Sequence, residues 1–150
     1  MASGLTLHVE IVTTTGVVYT RDAYEVVAPG GDGQLGILPR HAPLMTTLTM
    51  GALHIKHDGT EDTLYIGGGF MEVLDNRVVI LADEAERATD IDEAQAEQAR
   101  QRAQNALTAA ASDVDRAALE GQIQRALGRI HVSEIHRTRR SRHGELPSQG

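Results

Sequence analysis

Cysteine and tryptophan are absent from this chain of 150 residues, and one phenylalanine, Phe70, joins Tyr19, Tyr24 and Tyr65 as its whole aromatic complement. Without cysteine there is no disulfide framework, no thiolate nucleophile and no zinc-thiolate site, and nothing argues for an oxidising compartment. With so few aromatics, a core must be assembled from Val, Ile, Leu, Met and Ala, for which the hydrophobic fraction of 41% is sufficient. Long apolar runs are also missing: none approaches the roughly 18 residues that span a bilayer. The start of the chain has neither a basic segment nor an apolar signal core, so a cytoplasmic location is expected, with any membrane association running through protein partners.

What is present first is strand pattern. Leu5, Leu7, Val9 and Ile11 alternate with Thr6, His8 and Glu10, the period-2 arrangement of a strand with one buried face. Gly16 marks a turn, Val17–Tyr19 resumes extended structure, and Tyr24–Ala28 follows with Val26 and Val27 branched at Cβ. Pro29, Gly30, Gly31 and Gly33 then read as a loop. Met45–Met50, Ala52–His57, Thr63–Ile66, Phe70–Leu74 and Val78–Ala82 read as further strands, with turns at Asp58-Gly59 and Asp75-Asn76. Many short strands with no intervening helix predict an antiparallel sandwich or barrel, and the sandwich is the expectation.

From Thr89 the period changes. Asp90, three residues before Glu93, predicts a capping box at a helix start. Ala96, Ala99, Ala103, Ala106 and Ala110 then trace one side of a helix. Alanine favours the helix but offers little area, so at about 25 cal/mol per Å² this face docks weakly. Ser112-Asp113 reads as a break and second cap, after which Leu119, Ile123, Ala126 and Ile130 form a second stripe widened by Leu127. The two helices should pack as an antiparallel hairpin, and Gly121 inside the second costs it about 0.5–1 kcal/mol relative to alanine. The expected class is therefore α+β, mainly β then α: residues 1–86 a β domain, 87–137 a helical hairpin, and 138–150 a disordered basic tail.

Chemistry is harder to find. The glycine-rich run Pro29–Pro39 lacks the G-x-x-x-x-G-K-[ST] pattern of a phosphate loop, and no helix follows it. Gly67-Gly68-Gly69, lying between two strands, reads as a bulge or a close backbone approach. His54 and His57, three apart on a strand, point to opposite faces, so no metal site is expected. His41 between Pro39 and Pro43 belongs to a shaped loop, and no nucleophile, base and orienting group can be assembled. Arg125 and Arg129 share a helix face and are suited either to clamp a phosphate or to meet an acidic helix. Charge is unevenly spread: residues 121–150 hold 6 of the 14 Lys and Arg but 2 of the 21 Asp and Glu. Such a basic end is either a solvated tail or a surface for an acidic partner. Nucleic acid does not suit it, since the tail has no interleaved aromatics and the body would repel phosphate.

Gly33-Gln34-Leu35-Gly36-Ile37-Leu38-Pro39-Arg40-His41-Ala42-Pro43-Leu44 resembles the G-x-[LM]-G-[IV]-L/Y-P-x-H-A-P-L loop of the epsilon subunits of bacterial F-type ATP synthases. Tyr65–Val73 and Val78–Asp83 resemble the family's second block in the same order, and the resemblance continues to about residue 137. It implies a sandwich of about ten antiparallel strands followed by a two-helix hairpin. It also implies a non-catalytic central-stalk part of the rotor, at the cytoplasmic face of the cell membrane. The sandwich would dock on the gamma subunit and on the ring of c subunits, coupling proton flow to ATP synthesis, with Asp32, Gln34 and His41 at the ring-facing positions. Many relatives carry a carboxylate where Gln34 stands. The hairpin would extend toward the catalytic alpha and beta subunits and inhibit ATP hydrolysis, with Arg125, Arg129, Arg137, Arg139 and Arg140 meeting an acidic segment there.

No cofactor is required by this resemblance, but some relatives bind a regulatory ATP on the folded hairpin through I-D-x-x-R-A. Here the motif reads Ile91-Asp92-Glu93-Ala94-Gln95-Ala96, with Gln95 in place of the arginine. Glu86, Arg102, Arg125 and Arg129 fall at the matching offsets. A free-standing ATP-sensing module is the alternative function.

Overall fold

The computed structural model describes residues 5–144, apart from the side chain at position 143. The chain divides into two units, Met1–Arg87 and Ala88–Gly150.

Among its described residues the first unit has eight strands: β1 (Leu7–Thr13), β2 (Gly16–Ala23), β3 (Glu25–Gly30), β4 (Gly33–Ile37), β5 (Leu44–His57), β6 (Thr60–Leu74), β7 (Arg77–Ala82) and β8 (Ala85–Arg87). They form one sheet in the order β2-β1-β7-β6-β5-β3-β4, with β8 paired to β6. Strands at opposite ends of this order share one core: Leu7, Val9, Ile11, Val78 and Ile80 cluster with Val26, Ile37, Leu53 and Ile55. The sheet therefore folds back on itself as a sandwich, carried round by β5 and β6. These two strands pair from Leu44↔Val73 to His57↔Thr60. The far end of β6 pairs with β7, whereas Leu64–Ile66 pairs with β8.

Eight strands replace the expected ten, and the sheet is mixed because β1 runs parallel to β7. The sequence reading cuts β5 at Gly51 and β6 at Gly67–Gly69, but both strands run on through these glycines, with a bend in β6 where Gly68 and Gly69 take φ 102° and 146°. It also missed β4 and β8. β4 lies inside the glycine-rich run, most of which is paired backbone: Val26↔Ile37 through Gly30↔Gly33. Gly69 is indispensable to the bend, since a Cβ there would lie 2.0 Å from the carbonyl oxygen of Leu81.

In the second unit a short 3-10 turn (Ala88–Asp90) leads into α1 (Glu93–Thr108) and α2 (Asp113–Gly144). The cap of α1 is Asp92, whose Oδ1 accepts from the Gln95 N–H at 3.1 Å, whereas Asp90 belongs to the preceding turn. Ser112 caps α2, its Oγ accepting from the Asp115 N–H at 3.1 Å. The helices run antiparallel, with Ser133 and Arg137 of α2 bonded to Glu93 at the start of α1. Ala96, Ala103, Ile123 and Ala126 are buried, but Ala106 and Leu127 are exposed, so the stripes are narrower than their periodicity suggested. Val132, which the stripe left out, has no exposed surface.

Residues 138–144 are helical, not disordered. The segment holds neither proline nor, before Gly144, glycine, arginine is a good helix former, and cations near a helix C-terminus interact well with its dipole. The Ser141 hydroxyl donates to the Arg137 carbonyl at 3.1 Å. Residues 145–150 of the expected tail lie outside the described residues.

Candidate functional site

The residues singled out in the sequence fall in several separate parts of the chain. Asp32 and Gln34 sit at the tip of the β3–β4 hairpin, both exposed, with Gln34 opposite Pro29. His41 lies in the segment between β4 and β5. Its ring Nδ1 approaches the Ala42 carbonyl at 2.7 Å, and its backbone N–H donates to Leu38. The neighbouring Arg40 takes φ 70° and donates its N–H to Asn76 Oδ1 at 2.6 Å, which fastens this segment to the β6–β7 turn. Proline on either side of His41 and the Asn76 clip hold the loop in shape.

Glu86 belongs to β8, opposite Tyr65, and lines an open cleft of about 310 Å³ with Thr13, Thr15, Asp83 and Glu84. Ile91, Asp92 and Ala96 gather at the start of α1, where Asp92 is committed to the cap and Ala96 is fully buried. Arg102 is exposed on α1, and Arg125 and Arg129 are half-buried one turn apart on α2. The Arg125 guanidinium lies back over Gly121, 3.4 Å from where a Cβ would be. Of the other arginines, Arg137 meets Glu93 at 2.8 Å, while Arg139 and Arg140 are exposed beyond it.

A surface that the sequence reading missed emerges from the strand register. Phe70 is opposite Leu81, Leu81 is opposite Val12, and Val12 is opposite Val17, so four strands place apolar side chains in one row. These side chains point away from the core: in the adjacent row Met71, Ile80 and Ile11 are buried. Phe70, Leu81 and Val17 are 55%, 53% and 59% exposed, and Met45, across from Glu72, is 71% exposed. Single exposed apolar residues are ordinary, but a contiguous row on the outer face of a sheet marks a place where another surface sits. The signal in the sequence was Val78-Val79-Ile80-Leu81-Ala82, apolar at both parities, which a sheet with one solvated face does not need.

A second missed feature is a polar cluster. Tyr19 Oη donates to Asp62 Oδ2 at 2.7 Å, and His57 Nε2 meets the same oxygen at 3.0 Å. Arg21 Nη1 approaches His57 Nδ1 at 3.3 Å, which selects the tautomer that donates to Asp62. The Arg87 guanidinium stands 5.1 Å over the Tyr19 ring. Burial raises the Asp62 carboxyl, but the Tyr19 and His57 hydrogen bonds and nearby positive charge outweigh it and hold the group below the usual carboxylate range. Burial, then the bond to Asp62, pushes the Tyr19 hydroxyl far above its ordinary value. His54 answers to different partners, Thr63 at 3.1 Å and Glu61 at 3.2 Å. Among the described residues no group of three or more His, Asp or Glu could hold a metal, and no helix is long and apolar enough to cross a membrane.

Comparison with known proteins gives these features a setting. The family model described as "ATP synthase, Delta/Epsilon chain, beta-sandwich domain" matches residues 6–88, and "ATP synthase, Delta/Epsilon chain, long alpha-helix domain" matches 89–134. The ATP synthase epsilon chain of Herpetosiphon aurantiacus is 47% identical over 133 residues, covering 89% of this chain and 98% of that one. That of Chloroflexus aggregans is 45% identical over 134 residues, covering 89% and 96%. The chain belongs to the ATP synthase epsilon-chain family. A chain in the Euglena gracilis mitochondrial ATP synthase, OSCP/F1/c-ring in rotational state 1, has the same fold. Its TM-score is 0.68 at 22% identity, covering 91% of this chain and 86% of that one. For a member of the epsilon-chain family, the outward apolar row is then the feature to explain, since it spans four of the eight strands of the domain that the first family model matches.

Proposed function

We propose that this chain is a rotor subunit of an F-type ATP synthase. It docks by the apolar outer face of its sandwich on the gamma subunit and presents Asp32, Gln34 and His41 to the ring of c subunits. On this reading residues 1–86 form the coupling domain and 87–137 a mobile regulator. The chain contributes no catalytic group, and it meets the cytoplasmic face of the membrane only through the complex. The observation that carries the reading is the row Phe70–Leu81–Val12–Val17, too apolar and too continuous to be left to water. Burying such a row stabilises association at about 25 cal/mol per Å², before the cost of ordering the partners.

The test is assembly. The double variant Phe70→Ser, Leu81→Asp changes exposed positions, where substitutions generally move stability by about 0.5 kcal/mol or less. Its thermal midpoint should stay near that of the parent, while affinity for the gamma subunit falls by about 100-fold or more, as when a central apolar anchor is lost. A folded double variant that still assembles at full occupancy would refute the docking face.

Two features support the regulatory half. The α1 face is mostly alanine, a weak adhesive suited to an element that leaves one surface for another. The end of α2 carries Arg137, Arg139, Arg140 and Arg142, which suit an acidic segment of the beta subunit. A regulatory ATP on the hairpin would use Arg125 and Arg129 for its phosphates, with Ile91, Asp92 and Arg102 at the motif's other positions. Gln95 leaves that site one positive charge short of the motif.

A further inference from the structure

The far end of α2 is joined to the beginning of α1 by one carboxylate oxygen. Glu93 Oε1 accepts from the Ser133 hydroxyl at 2.7 Å and from Arg137 Nη2 at 2.8 Å. Ser133 and Arg137 are i,i+4 on α2, so they present their donors side by side, and Glu93 occupies the first position of α1, directly after the Asp92 cap. Apart from this contact, the buried side chains are Ala96 and Ala103 on α1, both small, and Ile123, Ala126 and Val132 on α2. Against so weak an apolar seam, a charge-assisted pair of hydrogen bonds at the end remote from the α1–α2 turn has leverage.

We propose that Glu93, Ser133 and Arg137 form a clasp that sets the equilibrium between a closed and an opened hairpin. The inference rests on the reading that the hairpin is a mobile regulator, and it names the contact that must break for the hairpin to open. Arg137 lies past residue 134, where the match to the helical family model ends, and within α2. The arginine is largely exposed and the carboxylate about a third exposed, which makes the clasp breakable: water and salt compete for it. A partner carboxylate offered to Arg137 would take the same guanidinium, so opening and capture of an acidic surface would use one group in turn.

The chain's lack of cysteine makes the test clean. Ala94→Cys and Thr138→Cys, both exposed and each one residue beyond a clasp partner, introduce the only two thiols. Pyrene on both reports the closed hairpin by excimer emission in the full-length protein. Ser133→Ala and Arg137→Gln should each raise the open-to-closed ratio by about threefold, and Glu93→Ala by about tenfold, in line with partly exposed charge-assisted bonds. In the Glu93→Ala background the other two substitutions should add nothing, and the exchange Glu93→Arg, Arg137→Glu should restore most of the excimer. Circular dichroism reports whether the helices persist in each variant. No loss of excimer in the single variants, or equal losses with and without Glu93, would overturn the clasp. In the assembled synthase Glu93→Ala should deepen inhibition of ATP hydrolysis. If the excimer series behaves as expected while hydrolysis does not move, the clasp stands and the regulatory reading beneath it falls.

Discussion

Gly69 sits at φ 146°, and a Cβ there would come within 2.0 Å of one backbone carbonyl oxygen and 2.9 Å of the Ala82 Cα. Both objections are to backbone atoms of β7, which cannot rotate away. Gly69→Ala should therefore destabilise the domain by about 3 kcal/mol or more, the strained conformation and the clash acting together. Gly31→Ala is the control: its Cβ would meet nothing within 4 Å and its φ is not in the left-handed region. A change between zero and a gain of about 1 kcal/mol is expected there from the stiffer unfolded chain. Urea midpoints of the two variants decide it, and equal midpoints would refute the account of the bend. The sequence showed three glycines between strands and supported the close approach. It could not show which of the three β7 presses on, because that depends on a register formed between distant segments.

At the scale of elements, legibility followed how local the cause was. β1 announced itself by alternation, and the Ser112 cap by residue type, because a strand face and a cap are decided within a few positions. β4 and β8 were invisible, since β4 is glycine-rich backbone recruited by β3, and β8 is three residues recruited by β6. The length of α2 is hidden for the opposite reason: its last turns have helix propensity without an apolar face. The cluster joining β2, β5, β6 and β8 was equally hidden, its members Tyr19, Arg21, His57, Asp62 and Arg87 being scattered along the chain. Its consequence is a pH dependence with two sides. Asp62 titrates below its ordinary value when folded, so its contribution is present above the unfolded value near 3.8 and is lost as pH falls through the depressed one. Tyr19 titrates above its ordinary value, so its contribution is intact below 10 and disappears as pH rises toward the elevated one. Asp62→Asn should flatten the acid limb of stability against pH, and Tyr19→Phe the alkaline limb, each read from denaturant midpoints across the range. Limbs unchanged in both variants would show the cluster to be energetically silent.

For the whole molecule, the change from period 2 to period 3.6 lies near Glu86, the structure's two units are Met1–Arg87 and Ala88–Gly150, and the loop Gly33–Leu44 pointed to the family. The apolar row stayed hidden because a docking face looks like core until the register shows which side it is on. Charge is unevenly spread along the chain. Residues 1–120 carry 19 of the 21 acidic groups, while 121–150 carry 6 of the 14 basic ones. An end so biased is drawn to an acidic partner over about a Debye length, roughly 8 Å at physiological salt, and less at higher salt. In the assembled synthase, deletion of residues 121–150 should raise ATP hydrolysis by severalfold, the loss of an inhibitory contact worth about 1–3 kcal/mol. Neutralising Arg137, Arg139, Arg140 and Arg142 to glutamine should recover part of that rise with the helix intact. In the parent complex, inhibition should weaken as salt increases, whereas in the neutralised variant it should not. Deletion that leaves hydrolysis unchanged would remove the regulator altogether. Deletion that activates, with neutralisation and salt both without effect, would keep the regulator but take the arginines out of it, leaving shape and not charge as the means by which α2 acts.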